Sequence, residues 1–392
     1  MTLPSPDRAR KHVGLALFGV GLVCGGALLV LEFLLPPLFE PEPLRAYGLM
    51  FLGAFLAFPA ALMYLTIPRL LDRYDPEPWY ALAIALAWGG IVACGIAALI
   101  NSMVGSIASG ILGEEHYEVA SAVLSAPLVE EVLKGLGVLG VFLFLRREFD
   151  GIVDGIIYAT FIGLGFAAVE NIIYYAKAAH QGEDVLAVTF FLRGVLSPWV
   201  HPLYTSMTGI GLGIAREYPR YRWTAPPVGF GVAVLMHLIW NASATLVDSA
   251  LFLILLPLWL FFVMGFLGIV ALLVRQKGLI IQRELESEVR LGTITENEMR
   301  LVCSAFGILR ARLRYGRLGE DFVRAIARLA LHKWHAERAE RHAMHSISPL
   351  FIQPLRDRIY ELKRTIDAAS ARERSSPEGP TRPGPSPENR SS

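Results

Sequence analysis

The sequence predicts an all-α protein: a polytopic bundle of about eight transmembrane helices, followed by a small cytosolic helical domain and a disordered tail. Of its 392 residues, 54% are hydrophobic and only 18% are charged, and the mean hydropathy is +0.47, outside the range of soluble globular proteins. The charged residues are concentrated in residues 275–392, whereas the middle of the chain contains few. We therefore expect a membrane domain and a separate polar domain.

The membrane spans can be placed from the lengths of the apolar stretches. A helix needs about 20 apolar residues to cross the hydrocarbon core of a bilayer. Eight stretches meet this requirement, at residues 12–35, 44–67, 79–110, 118–145, 152–177, 188–215, 226–248 and 250–274. The third stretch is longer than one span requires, so its end, NSMVGSIASG, is a candidate loop.

The basic residues predict the orientation of the spans, because short cytoplasmic loops are enriched in Lys and Arg. Every second connection is basic, and the residues concerned are Arg8, Arg10, Lys11, Arg69, Arg73, Arg146, Arg147, Arg216, Arg220, Arg222, Arg275 and Lys277. The other connections have only Arg45 and Lys177, at span ends. We expect a multi-pass protein of the cell membrane with both termini in the cytoplasm. A composition rich in Ala, Gly and Arg indicates a bacterium, hence the inner membrane.

Four segments follow from these patterns. They are a cytosolic N-terminal segment (1–11), a transmembrane domain (12–274), a cytosolic helical domain (275–370) and a Pro- and Ser-rich disordered tail (371–392). In the cytosolic domain, Thr295 and Glu298 have the spacing of a helix capping box.

Basic residues in the cytosolic domain are interleaved with acidic ones, which predicts solvent-exposed helix faces and no nucleic-acid partner. Four histidines there are weak metal candidates: His332, His335, His342 and His345.

Polar side chains occur at similar depths in four consecutive predicted spans. They are Glu130 and Glu131 near the middle of the fourth span, Glu170 and Asn171 in the outer half of the fifth, His201 near the middle of the sixth, and His237 and Asn241 in the seventh. Lipid satisfies none of their hydrogen bonds, so such residues face the interior of the bundle or a water-filled cavity. We expect them to converge on one pocket.

The adjacent carboxylates of the fourth span suggest acid–base chemistry. Peptide hydrolysis needs a base that takes a proton from water, and a buried carboxylate can perform this role. Successive residues of a helix point about 100° apart, so only one of Glu130 and Glu131 can face a given point. Lys134 follows them by four and three residues, within reach of an ion pair with either. Our hypothesis is that Glu130 is the base and that Glu131 and Lys134 form a supporting ion pair.

Several motifs resemble those of the PrsW family of intramembrane proteases. They are EEVLK at residues 130–134, FAAVEN at residues 166–171, His201, and HLIWN at residues 237–241, with DGIVDGIIYA before the fifth span. The similarity covers about residues 118–245, the motif core. PrsW proteins are related to CAAX prenyl proteases and bacteriocin-processing enzymes, whose motifs are EExxxR, FxxxH and HxxxN. The second of these motifs has His where this chain has Glu170.

The resemblance implies an intramembrane endopeptidase that cuts a single-span membrane protein, such as an anti-sigma factor, near its extracytoplasmic border in the lipid bilayer. It implies that His237 and Asn241 stabilise the oxyanion, and that Glu170 and His201 orient water or shuttle a proton. The same motifs include Lys134, Phe166 and Asn171 as supporting residues. No cofactor is expected.

Other interpretations of the same residues remain open. Zinc accepts carboxylate and imidazole ligands, but no HExxH motif is present and Lys134 would repel a cation, so a metal-free mechanism is favoured. A proton-coupled transporter or channel would also need intramembrane Glu and His residues, and a non-catalytic adaptor would rely on the cytosolic domain. His201, next to Pro202, could instead satisfy a carbonyl freed by a kink. Arg193 is expected to extend to the membrane boundary.

Overall fold

The computed structural model describes residues 6–72, 74–146, 148–246, 249–341 and 348–375, and within these ranges the chain is helical with no β-strand. Its α-helices are α1 (Pro6–Leu29), α2 (Pro43–Leu71), α3 (Trp79–Ala87), α4 (Cys94–Leu112), α5 (Ala126–Phe144), α6 (Ile152–Gln181), α7 (Glu183–Phe190), α8 (Val200–Glu217), α9 (Ala225–Leu246), α10 (Ser249–Arg290), α11 (Glu296–Cys303), α12 (Gly307–Arg341) and α13 (Pro349–Ser375). The predicted all-α class is confirmed.

Seven helical stretches in the described part of the chain are long and apolar enough to cross a bilayer. They are Ala9–Phe39, Pro43–Arg69, Trp79–Leu112, Ile152–Gln181, Glu183–Glu217, Ala225–Leu246 and Ile254–Arg290. The polytopic architecture is therefore confirmed, with one difference from the eight predicted spans. The stretch predicted at 118–145 is helical, as a π-helical turn at Val119–Ser125 followed by α5, and at about 1.5 Å per residue it is about 39 Å long. It is not one of the seven stretches, because two glutamates and a lysine near its centre make it less apolar than the others.

One predicted detail of the spans is wrong, and another gains a structural detail. The candidate loop at residues 101–110 is helical, because α4 continues to Leu112. The sixth span is a broken helix: α7 passes into a π-helical turn at Phe191–Leu196, and helical structure is interrupted before α8 starts at Val200. Pro198 lies in the interruption and cannot donate a backbone hydrogen bond. The break puts His201 in the first turn of a new helix.

Helix α6 is the centre of the membrane domain. Every residue from Asp154 to Ala168 is buried, as expected for a helix that is apolar around its whole circumference. It packs closely on α8, because a Cβ atom added at either Gly155 or Gly209 would lie 2.2 Å from the carbonyl oxygen of the other. Such small-residue contacts let transmembrane helices approach backbone to backbone. This contact fixes the register between the helices that carry Glu170 and His201.

The described residues form two compact units. The first contains the residues up to Asp72 together with Pro76–Val274, and the second contains the residues from Arg275 onward with a short segment that ends at Asp75.

The second unit is organised around Glu288, which is fully buried and accepts hydrogen bonds from Lys333 (2.9 Å) and Arg356 (2.7 Å). The predicted capping box is present, since the Glu298 amide donates to Thr295 Oγ1 (3.3 Å) and the Thr295 amide donates to Glu298 Oε2 (2.6 Å).

The ends of the chain differ from the predicted boundaries. Helix α1 begins at Pro6, before the predicted first span, and α13 continues to Ser375, so residues 371–375 of the predicted disordered tail are helical. The remaining tail, residues 376–392, lies outside the described residues, as do Arg147, His342 and His345.

Candidate active site

Helices of the first unit bring the predicted polar residues into one buried cluster. The members are Glu130, Glu131 and Lys134 on α5, Glu170 on α6, His201 on α8 and His237 on α9. Residues as far apart in sequence as Glu131 and His237 are hydrogen-bonded to each other. The structure thus joins the four predicted spans at one place.

Glu131 is the most completely bonded carboxylate of the cluster. It is fully buried, and its Oε1 accepts hydrogen bonds from Lys134 Nζ (3.0 Å) and from His237 Nδ1 (3.1 Å). Its Oε2 accepts from the hydroxyl of Thr205 (3.1 Å). A carboxylate with three donors is tightly held. The supporting role expected for Glu131 stays a prediction.

Glu130 is held by two donors, one on each oxygen. Lys134 Nζ donates to Oε2 (3.1 Å), and the Asn101 amide on α4 donates to Oε1 (3.4 Å). Ser125 Oγ in turn donates to Asn101 Oδ1 (2.8 Å). Because Oδ1 accepts this bond, the amide nitrogen of Asn101 is the atom that faces Glu130. Ser125 and Asn101 therefore fix the orientation of the Glu130 carboxylate.

His201 lies between Lys134 and Glu170. Lys134 Nζ is 2.9 Å from its Nδ1, and Glu170 Oε2 is 3.0 Å from its Nε2. An ammonium group can only donate hydrogen bonds, so His201 Nδ1 is the acceptor. The ring hydrogen is therefore on Nε2, which donates a hydrogen bond to Glu170 Oε2. The Phe166 ring lies against both residues, with its centroid 5.1 Å from that of His201 and 3.9 Å from Lys134 Nζ. Phe166 thus fills the space beside the ion pair.

Arg193 is bound to residues of α6, whereas the sequence predicts a side chain that extends to the membrane boundary. It comes from the π-helical turn before α8, forms an ion pair with Glu170, and donates from Nε to Asn171 Oδ1 (2.7 Å). Its guanidinium carbon lies 3.6 Å from the centroid of the Tyr174 ring. The chain of contacts therefore runs from Arg193 through Glu170 and His201 to Lys134.

His237 presents its second nitrogen to Glu130. Since Glu131 can only accept, His237 Nδ1 carries the proton of their hydrogen bond, and a neutral ring then has a lone pair on Nε2. Nε2 lies 3.8 Å from Glu130 Oε2. Asn241, one turn further along α9, donates to the carbonyl of Ala122 (2.7 Å). Of the two residues predicted to share one helical face, His237 bonds within the cluster and Asn241 bonds to the backbone of Ala122.

A cavity of about 310 Å³ opens onto the cluster. Its wall includes His201 and His237, together with Glu170, Arg193 and Asn241. Glu130 lies immediately behind the two histidines, with 4% of its surface exposed and its Oε2 within 3.9 Å of each imidazole. The arrangement is a set of acids, bases and hydrogen-bond donors around a space large enough for a short peptide segment.

Sequence patterns do not identify three residues that contact this cluster. Asn101 was placed in a candidate loop, Thr205 is an ordinary helix residue in the sequence, and Arg193 was expected to point elsewhere. The available signals were a lone Asn in an apolar span and the four-residue spacing from His201 to Thr205, which puts both on one face of α8.

The fold and the cluster define a class: a polytopic membrane protein whose ionisable residues are assembled inside the helix bundle, where such residues mark functional sites. A family model described as "PrsW family intramembrane metalloprotease" matches residues 77–272, which is half of the chain. The chain belongs to the PrsW family, and the resemblance found in its motifs is confirmed.

Curated relatives agree with this assignment. The chain is 34% identical over 117 residues to a protein named Protease PrsW from Oceanobacillus iheyensis, a match that covers 29% of this chain and 49% of the relative. Proteins of the same name from Geobacillus kaustophilus and Bacillus subtilis are 31% and 29% identical, over 38% and 39% of this chain and 59% and 66% of their own lengths. The matches thus span about half to two thirds of these relatives. No solved structure matches the chain.

Proposed function

We propose that the chain is an intramembrane endopeptidase that hydrolyses a peptide bond of a membrane-anchored protein with a water molecule activated by Glu130. The observation that carries this proposal is the convergence of Glu130, His201 and His237 beside a cavity within the membrane domain. Membership of the PrsW family, and the name Protease PrsW given to its relatives, support the reaction class.

The base is assigned to Glu130 because of the atoms around its Oε2. Two potential proton acceptors, Glu130 Oε2 and His237 Nε2, face each other at 3.8 Å, so one water molecule can bond to both. Glu130 takes a proton from this water molecule. At the same time the water oxygen forms a bond to the carbonyl carbon of the substrate. The carbon–nitrogen bond then breaks, and the proton passes to the leaving amine.

The oxyanion needs N–H donors that point into the cavity. Neutral His237 offers a lone pair there, so we assign it to hold the water rather than to donate to the oxyanion. Asn241 lines the cavity and has a second amide hydrogen besides the one it donates to Ala122. Arg193 also lines the cavity, and a guanidinium has five N–H groups. We propose Asn241 and Arg193 as the donors, which revises the expected role of His237.

Glu170 and His201 serve as the proton pathway and as orienting groups in this scheme. Glu170 accepts a hydrogen bond from His201 Nε2, and the ion pair with Arg193 keeps Glu170 in place. Asn171 holds the other side of the same guanidinium. The three side chains together support His201 at the wall of the cavity.

A metal ion would need protein oxygen or nitrogen atoms with free lone pairs as its ligands. Glu130, His201 and His237 are suitable in kind, and their donor atoms lie within 4.8 Å of one another. Both histidines also have a carboxylate on their other nitrogen, as metal-bound histidines usually do. However, the Lys134 ammonium donates to Glu130 Oε2 and to His201 Nδ1, two of the atoms a metal would use. The residues in this arrangement do not fit a metal, although the family description includes one, and we propose a metal-free mechanism in which Lys134 is the resident cation.

We propose a single-span membrane protein, such as an anti-sigma factor, as the substrate. The cavity of about 310 Å³ is at the small end of the range of ligand pockets and a helix is about 10 Å across, so we propose that the scissile segment enters in an extended form. Glu170 and Asn241, in the halves of their helices predicted to lie on the extracytoplasmic side, favour cleavage near that border. We also propose that the protein resides in a bacterial inner membrane with both termini in the cytoplasm, as the basic loops indicate.

The experiment compares membrane proteomes from cells that produce the wild type or Glu130→Gln, which keeps the shape of the side chain and removes the base. We expect truncated single-span proteins only with the wild type. Activity on a co-expressed substrate should fall roughly 10²–10⁴-fold, the usual cost of losing a general base.

The matched control is Glu118→Gln, an exposed carboxylate at the start of the same helical stretch, which should leave cleavage unchanged. If Glu130→Gln kept more than about a tenth of the activity, the base role would pass to Glu131. If no protein were shortened in any strain, the proteolytic proposal would be wrong.

A further inference from the structure

A second cavity, of about 340 Å³, lies between α1, α5 and the third span. Its wall is almost entirely apolar, and includes Leu17, Phe18, Leu136 and Leu143. Among the described residues that form the wall, Lys11 is the one charged side chain. None of the acid–base residues of the candidate active site borders this groove, so a ligand here would have a separate function.

Glycine residues create the depth of the groove. A Cβ atom at Gly14 would lie 2.5 Å from Phe144 Cβ, and one at Gly137 would lie 2.4 Å from the Trp88 ring. Gly140 differs, because an added Cβ there would meet no atom within 4 Å. Gly140 therefore faces the open space of the groove, and a larger side chain at this position would fill it without displacing the backbone.

The dimensions of the groove limit what it can hold. Its wall follows α5 from Leu136 to Leu145, which is about 14 Å at 1.5 Å per residue. A volume of about 340 Å³ lies at the small end of the range of ligand pockets, whereas a helix is about 10 Å across. A single hydrocarbon chain is narrow enough to enter, and an apolar space inside a bilayer is filled by lipid rather than by water.

One end of the groove is positively charged. Lys11 stands there, the neighbouring Arg10 is exposed, and exposed Arg146 directly follows Leu145, the wall residue just after the end of α5. Lys11 Nζ lies 4.7 Å from the centroid of the Tyr80 ring, and the Tyr80 hydroxyl is engaged with the acidic side chain of Glu148 (3.1 Å). Three cations against one carboxylate favour an anionic group at this end.

We propose that the groove binds an anionic phospholipid, with one acyl chain between α1 and α5 and the phosphate beside Lys11. Charge complementarity with Lys11, Arg10 and Arg146 selects an anionic lipid over a neutral one. The bound chain packs on α5, the helix that also carries Glu130 and Lys134, and so supports that helix from a side without catalytic residues. This proposal does not depend on the protease assignment.

The test uses native mass spectrometry of the purified full-length protein in detergent, with phosphatidylglycerol or phosphatidylcholine added after delipidation. We expect one phosphatidylglycerol per chain, retained about fivefold better than phosphatidylcholine, which is the effect of about one basic residue near an anionic lipid. Lys11→Gln should lower this preference, and Lys11→Gln combined with Arg10→Gln and Arg146→Gln should abolish it. Gly140→Leu should remove the retained lipid of both kinds.

Gly19→Leu is the matched control, because Gly19 lies on α1, has no atom within 4 Å of an added Cβ and does not border the groove. It should retain lipid like the wild type. Equal retention of the two lipids by the wild type would overturn the charge assignment whatever the variants do. Unchanged retention in Gly140→Leu would show that the lipid binds elsewhere and would overturn the groove as its site.

Discussion

Lys134 Nζ donates a hydrogen bond to His201 Nδ1 at 2.9 Å, although the two residues lie on different helices and 67 positions apart. Both side chains are buried, and the same ammonium also bonds to Glu130 and Glu131. A cation that is already built into the protein thus lies among the acceptors that a metal ion would otherwise bind. The metal content of the protein becomes a direct test of this relationship.

We expect the purified wild type to bind zinc substoichiometrically and to remain active after exhaustive chelation. The Lys134→Gln variant lacks the ammonium that donates to Glu130 Oε2 and His201 Nδ1, so both atoms can bind zinc. The zinc content of this variant should therefore rise toward one per chain. Elemental analysis of the full-length protein measures this without reference to activity. Arg193→Gln is the control, since it removes another cation of the cluster that contacts neither Glu130 nor His237.

His237→Ala and Asn241→Ala separate the two mechanisms further. Without a metal, both variants should lose activity by a similar factor, about 10²–10³, as is typical for the loss of one group that stabilises the transition state. One zinc per chain in the wild type, lost in His237→Ala and kept in Asn241→Ala, would contradict the metal-free assignment and leave a metalloprotease.

Asn101→Leu tests the orientation of Glu130. Removing a hydrogen bond to a charged group, worth roughly 1.5–3 kcal/mol, should lower kcat about 10- to 100-fold with little change in KM. Ser125→Ala, which leaves Asn101 free to rotate, should show a smaller loss of the same kind. Ser106→Leu, at an exposed site on the same helix, is the control. An Asn101→Leu variant that loses only substrate affinity would argue against a positioning role.

Glu170 and Arg193 should behave as one unit. We expect Glu170→Gln to reduce kcat roughly 10- to 100-fold, because it breaks the ion pair that holds His201. Arg193→Met should cost more, roughly 10²–10³-fold, because it breaks the same ion pair and also removes a proposed oxyanion donor. The double variant should be about as active as the worse single variant, since residues in one network are not additive. Strictly multiplicative losses would indicate that the two side chains act independently.

Reporter fusions test the orientation. A fusion after Glu115 should report the extracytoplasmic side and a fusion after Arg147 the cytoplasmic side, following the distribution of Lys and Arg between the loops. The reverse pattern would place the cavity mouth on the other side of the membrane and exclude cleavage at the extracytoplasmic border of a substrate.

The sequence was most informative about depth in the membrane. Each residue adds about 1.5 Å along a helix, so the positions of Glu130, Glu170, His201 and His237 within their spans predict that they lie in one slab of the bilayer. The long apolar stretches likewise predicted the all-α polytopic fold.

Rotation about each helix axis could not be predicted in the same way, because it depends on packing between helices, such as the contact of Gly155 with Gly209. For this reason Asn101 and Arg193 were missed as partners of Glu130 and Glu170. The break before α8 was foreseeable only as a kink, since a proline does not reveal whether a helix bends or stops.

The cluster joins three carboxylates, Glu130, Glu131 and Glu170, to two permanent cations, Lys134 and Arg193, with both imidazoles neutral. Their formal charges leave a single negative charge inside the bilayer, where uncompensated charge is costly. Taking up one proton makes the group neutral. During hydrolysis of an amide, one proton must be held by the site after it leaves the water and before it reaches the leaving amine. The cluster is neutral while it holds this proton and carries one negative charge without it, so the protonated cluster has the lower electrostatic cost.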